Sequence, residues 1–224
     1  VITIRQNLSI FSNSETITAD QLVIENGATL TISEGSLNIL DGPGDDLTCA
    51  GSINLGTAGM FNDGVAQFAE LGVLHMSFDA SVGGSGIYNI QPGATLQIDN
   101  TGNHNFLDAC VINNNGDIIW NDDGNITMDG TATINNYHDF DINGNGDIVT
   151  QSPVAPVINN MGGGTINKVA TGLTEIDAAI QFNDYANSTF NITEGSININ
   201  NSTGTHAGYY TIGSESTLGG AATF

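Results

Sequence analysis

The sequence predicts an all-β protein and, within that class, a right-handed parallel β-helix, a solenoid with coils of about 20–25 residues. Three observations predict it. Polar and apolar residues alternate over short runs, which is the period of a half-buried strand; TLTIS at Thr29–Ser33, TLQID at Thr95–Asp99, TFNIT at Thr189–Thr193 and SININ at Ser196–Asn200 are examples. The runs are closed by Gly, Asn or Asp, residues that tolerate the backbone angles of tight turns. The chain also repeats itself. Ile-Asn-Asn occurs at Ile112, Ile134 and Ile158, at intervals of 22 and 24 residues.

Taken in order along the chain, the elements fit one repeated packing problem. ENGATLTI from Glu25 returns as QPGATLQI from Gln91, GIYNIQPGATL at Gly86–Leu96 as GYYTIGSESTL at Gly208–Leu218, and TISEGSLNIL at Thr31–Leu40 as NITEGSININ at Asn191–Asn200. A single coil cannot bury its inward residues, whereas stacked coils bury a continuous core. The expected inward set includes Leu30, Ile32, Leu37, Ile39, Ile192, Ile197 and Ile199. Thr, Asn, Ser and Asp are expected to face outward, with stacked Asn bonding along the axis as a ladder. One stretch, VAQFAELGVL at Val65–Leu74, carries a weak helical pattern. The alternative architecture is a β-sandwich, which also shows short strands and frequent turns. The whole of residues 1–224 is expected to form a single solenoid domain.

Composition bounds the function. Hydrophobic residues make up 39% and charged residues only 12%, so a packed fold is expected rather than disorder. With 2 basic and 24 acidic residues the net charge is −22. Arg5 and Lys168 are the only strong cations, which excludes nucleic acid and anionic membrane surfaces as partners. No apolar run approaches the roughly 18 residues of a membrane span. The chain opens on Val1 rather than Met, as expected of a mature chain or a piece of a longer one. Cys49 and Cys110 are 61 residues apart, about three coils. Three coils separate their Cα atoms by roughly 14 Å, against about 7 Å for a disulfide, so two free, buried thiols are expected.

The last third, Ile158–Phe224, resembles a pattern of very large secreted, adhesin-like bacterial surface proteins. There an F/I-N-N-x-G-T turn and strand leads to F-x-N, then to G-S/T-L/I-N-I (here Gly195–Ile199), then to G-x-Y/F-x-I (here Gly208–Ile212) and to A-T-L-x-F. Ile24–Leu96 follows the pattern more loosely. The resemblance implies a parallel β-helix on a long extracellular or cell-surface polypeptide, and it supplies no catalytic residues.

Candidate chemistry is concentrated in acidic turns. Asp141, Asn143, Asn145 and Asp147 alternate as oxygen ligands of a calcium loop would, with Gly146 at the turn. The twelfth position is Ser152, where such a loop needs a bidentate Glu, so the competing reading is an Asn/Gly-rich turn between coils. Two further clusters, Asp41–Asp46 and Asn121–Asn125, suit a divalent cation or a solvated loop. A charge of −22 favours some cation binding. Paired carboxylates also serve glycoside hydrolysis, and Asp117, Asp122, Asp139 and Asp141 are the first to test. The scarcity of Arg and Lys argues against an enzyme on acidic sugars.

His75, His104, His138 and His206 do not pair at metal-ligand spacing in sequence. No G-x-S-x-G elbow occurs. Trp120, in DIIWNDDGN, is the candidate glycan platform; its alternative is a core position. Ice binding would need regular Thr-x-Thr arrays, and those beginning at Thr16, Thr29 and Thr131 are spaced 13 and 102 residues apart.

The expectation is therefore a non-catalytic structural or adhesive module, with calcium as the ion it would hold. VITIRQNLSIF (Val1–Phe11) and TLGGAATF (Thr217–Phe224) carry no evident polar cap, so neighbouring domains or copies stacked end to end are the expected partners, with surface glycans next. Sequons such as Asn125-Ile126-Thr127 are read as products of composition.

Overall fold

In the computed structural model, residues 1–10, 16–99, 102–200 and 204–220 are described. Phe11 and the closing residues 221–224, both within the stretches read above as chain ends, lie outside them. The chain winds into a β-solenoid of about ten turns with three parallel sheets. Sheet 1 has nine strands, from Ile2–Ile4 to Gln181–Asp184; sheet 2 has ten, from Leu8–Ile10 to Tyr209–Ile212; sheet 3 has ten, from Thr16–Ala19 to Thr217–Gly220. Each sheet takes every third strand of the chain as far as Ser196–Ile199, so each coil contributes one strand to each face; the last coil adds strands to sheets 2 and 3 and only a bridge, His206 to Asp184, to sheet 1. All strand pairs are parallel, which rules out the sandwich.

The repeats set the register. Ile112 pairs with Ile134 and Ile134 with Ile158, each Asn-Asn stacked on the next. Coil length is not constant. In sheet 2, Phe190 pairs with Tyr210 (210 − 190 = 20 residues), while Phe140 pairs with Ile166 (166 − 140 = 26). The surplus is taken up in the turns, where chain can be added without breaking a ladder.

Strand alternation places the core as expected. Leu30, Ile32, Leu37, Ile39, Ile192, Ile197 and Ile199 are all buried, none more than 2% exposed. The stretch Val65–Leu74 is not helical. Val65–Phe68 and Val73–Ser77 are strands of sheets 1 and 2, separated by a turn in which Leu71 takes φ 68°. Their inward Ala66, Phe68, Leu74 and Met76 are fully buried, so tertiary burial overrides the weak helical period. No helix occurs among the described residues.

Neighbouring coils approach closely at some corners. A Cβ on Gly144 would stand 1.5 Å from Asp122 O one coil back, so only glycine fits there. Cys49 and Cys110 are free and buried. The strand Leu47–Cys49 lies three strands from Val111–Asn114, the strand that follows Cys110, which keeps the thiols apart as expected. Burial pushes both thiols up to about 12.

Candidate functional site

The side chains that link coil to coil come first, because they decide which polar groups are left for other chemistry. In the strand Val111–Asn114 the alternation puts Ile112 inside, Asn113 outside and Asn114 inside at the corner. Stacking this unit creates two amide ladders. On the outer face Asn183 Nδ2 donates to Asn159 Oδ1, Asn159 to Asn135, Asn135 to Asn113 and Asn113 to Asn89, at 2.8–2.9 Å. The inner ladder runs the other way. Asn114 Nδ2 donates to Asn136 Oδ1 (2.7 Å), Asn136 to Asn160 (2.9 Å) and Asn160 to Asp184 Oδ1 (2.8 Å). The second amide hydrogen of each inner Asn goes to a backbone carbonyl, that of Asp139, Thr165 or Thr189.

A buried chain of amides that donate in one direction ends best on a group that needs only to accept, and a carboxylate is such a group; the outer ladder, at the surface, ends on the amide of Asn89. Asp184 ends the inner ladder. Asp141 ends a third one, in which Asn191 donates to Asn167 (3.0 Å) and Asn167 to Asp141 Oδ1 (2.8 Å). At its other end the inner ladder meets Ile90, which offers no amide, and Asn114 Oδ1 has no hydrogen-bond partner there.

The residues expected to bind calcium fall within this same coil-to-coil bonding. Asp141, Asn143, Asn145 and Asp147 alternate outward, with buried Ile142, Gly144 and Gly146 between them. Asn143 Nδ2 donates to Asn121 Oδ1 (2.8 Å), Asn145 Oδ1 accepts Gly172 N–H (2.7 Å), and Asp147 Oδ1 accepts Glu175 N–H (2.8 Å). Each is thus tied to a neighbouring coil. In the cluster Asp41–Asp46, Asp46 is buried and accepts the amides of Gly42 (2.8 Å) and Val65 (2.7 Å). In Asn121–Asn125, Asp123 accepts Asn145 N–H (2.8 Å) and Asn125 accepts Asp147 N–H (2.9 Å).

Trp120 is not a glycan platform. Its ring is fully buried, on an inward position of the strand Asp117–Trp120, and Nε1 donates to Asp122 Oδ1 (3.1 Å). A sugar cannot stack on a ring with no exposed face. The same carboxylate accepts Gly124 N–H (3.0 Å) and meets His104 Nε2 at 2.9 Å, so Asp122 is a buried structural acceptor. Thr16–Thr18 lies on sheet 3, Thr29–Thr31 on sheet 2, and Thr131–Thr133 is a turn that enters sheet 1 at Thr133, so the three share no face.

Lys168 occupies an inward position between Ile142 and Ile192 and is fully buried. Its Nζ donates to Gly144 O (2.5 Å) and Asn145 Oδ1 (3.4 Å), and desolvation lowers its pKa against the opposing pull of Asp123.

Of the four carboxylates expected to pair, the fold brings Asp117 and Asp139 directly opposite each other on adjacent strands of sheet 2. His138, which the sequence offered no reason to pair, joins them. Its Nδ1 lies 3.1 Å from Asp117 Oδ1 and 3.9 Å from Asp139 Oδ2. One ligand atom from each of the three lies within 4.8 Å of the others, the one such His/Asp/Glu/Cys group among the described residues.

Two other histidines also meet an Asp about one coil away, His75 with Asp99 at 2.5 Å and His104 with Asp122 at 2.9 Å. Spacings of 24, 18 and 21 residues, near one coil, are the signal that could have found these pairs. His75 also has Ser77 Oγ at 3.3 Å, but both Ser77 and Asp99 meet Nε2. A nucleophile triad needs them on opposite ring nitrogens.

Neither protein-family models, nor curated proteins, nor solved structures give a match to the chain. The resemblance to secreted surface proteins rests on the sequence motifs alone.

Proposed function

We propose that the chain is a structural and adhesive solenoid module of an extracellular or cell-surface protein, without a catalytic role. The observation that carries this reading is the pair of opposed Asn ladders, which commit side chains of five successive strands on the outer face of sheet 1, and of four on its inner face, to bonding coil to coil. Residues used in this way stiffen a rod and keep its outer face regular. The partner inferred is a further coil, from a continuing chain or another copy. Ile2 and Leu8 of the first coil are 51% and 45% exposed at the mouth of an apolar cavity of about 160 Å³, and a stacked coil would bury them. Calcium enters as a counter-ion bridging acidic faces.

The test is to incubate the purified chain, with and without calcium, with neutral and acidic polysaccharides. Retention and newly formed reducing or unsaturated ends are both recorded. No new ends are expected. New ends that vanish in Asp117→Asn would overturn this reading and favour the second one, a polysaccharide-acting β-helix. That second reading rests on the paired carboxylates of Asp117 and Asp139.

A further inference from the structure

We propose that Asp117, His138 and Asp139 form a binding site for a divalent first-row transition-metal ion, a property independent of the mechanical role above. Asp117 and Asp139 are register partners on adjacent parallel strands. Like charges placed directly opposite are destabilising, and a cation between them removes the cost. The two strong cations of the chain are committed elsewhere. Arg5 Nε is bonded to Glu25 Oε1 at 2.8 Å on the opening coils, and Lys168 is buried on Gly144 O. An imidazole nitrogen is what the sequence places between the two carboxylates.

The donor set then selects the ion. Calcium and magnesium prefer all-oxygen shells, whereas one imidazole with two carboxylates suits zinc and its neighbours. Metal–ligand bonds of about 2.0–2.2 Å in a tetrahedral site place ligand atoms roughly 3.4 Å apart. His138 Nδ1 and Asp117 Oδ1 are already 3.1 Å apart. Asp139 Oδ2, at 3.9 Å from Nδ1, needs to close by about half an ångström, and the carboxylates of Asp117 and Asp139, whose ligand atoms lie within 4.8 Å, close on the ion by side-chain rotation.

The side chains of all three are about half exposed (40–55%), so water can fill the remaining position. The backbone beneath is held by neighbouring coils. Asp117 and Asp139 open strands of sheet 2, and His138 stands in the bend just before Asp139; Asp117 N donates to Ala94 O (3.0 Å) and Thr165 N to His138 O (2.7 Å). Thr95 and Thr165 flank the pair in the same outward column.

The test is calorimetric titration of the chelator-treated chain with zinc chloride, and separately with calcium chloride. One saturable zinc site per chain is expected. His138→Ala and Asp139→Asn, both at exposed side chains, should each weaken it at least about tenfold, while Glu34→Gln, on a distant exposed turn, should leave it unchanged. Circular dichroism checks that every variant keeps its β signal. Absence of saturable zinc binding would overturn the proposal. So would zinc binding by His138→Ala equal to the parent's, or calcium bound as tightly as zinc, since either marks diffuse attraction to acidic surface.

Discussion

Replacing Asn136 by Ala tests whether the buried amide ladder holds the coils together. Asn136 is fully buried. Its Nδ2 donates to Asn160 Oδ1 (2.9 Å) and Thr165 O (3.0 Å), and its Oδ1 accepts from Asn114 Nδ2 (2.7 Å). At about 1 kcal/mol net per bond, the three bonds are worth about 3 kcal/mol. Asn160 Oδ1 is then left buried without its donor, which adds about 1–2 kcal/mol. The expected loss is about 4–5 kcal/mol.

The control is the next residue out. Asn135 makes two ladder bonds, to Asn113 (2.9 Å) and from Asn159 (2.8 Å), on the same strand. Its partners face solvent, so water replaces what Asn135→Ala removes, and the loss should stay under about 1 kcal/mol. Asn136→Asp should cost more than Asn136→Ala at neutral pH, because an acceptor-only carboxylate then faces Asn160 Oδ1. Urea unfolding gives the three values, compared at equal m so that the transition is the same one. An Asn136→Ala loss no larger than that of Asn135→Ala would refute the reasoning.

Burial of one indole and two thiols gives three further outcomes. Trp120→Ala should lower stability by about 3–5 kcal/mol in the same urea assay and leave retention on any glycan unchanged; weakened retention by a folded variant would contradict the buried ring. Cys49 and Cys110 should be inert to a thiol reagent at pH 8 in the native chain and both react in urea, since only the thiolate attacks and burial suppresses it. Their folded pKa is raised, from 9.0 to about 12, so their contribution is fully present below pH 9 and is lost as pH climbs towards 12. Stability should fall over that window, and Cys49→Ala should flatten the slope, as unfolding midpoints between pH 8 and 11 would show.

Much of the fold was legible because its signals are local. Alternation over four residues marks a strand and its inward side wherever the strand lies, and Ile-Asn-Asn marks stacked registers because identical units meet at identical corners. Trp120 was legible too. In DIIW the phase of Ile118 puts Trp120 inside, the core position that stood as the alternative to a glycan platform, which the neighbouring acids had suggested. Val65–Leu74 misled for a related reason: two strands joined by a short turn imitate a helical period when the turn is not seen.

The candidate site was less legible. Asp141 and Asp147 have the spacing of a calcium loop in sequence, and the fold directs both to acceptor roles between coils. Asp117 and Asp139 stood out in sequence only as two of four candidate carboxylates and His138 not as their partner; the three converge only when one coil is laid on the next.

By itself, then, the sequence determined the class, the stacking and the inward residues, because strand periodicity and turn chemistry act between residues close along the chain. Only the tertiary structure decided which carboxylate meets which histidine and which amide ends on which carboxylate. Those contacts cross from coil to coil, and the coils of sheet 2 vary from 20 to 26 residues, so no fixed sequence interval predicts them.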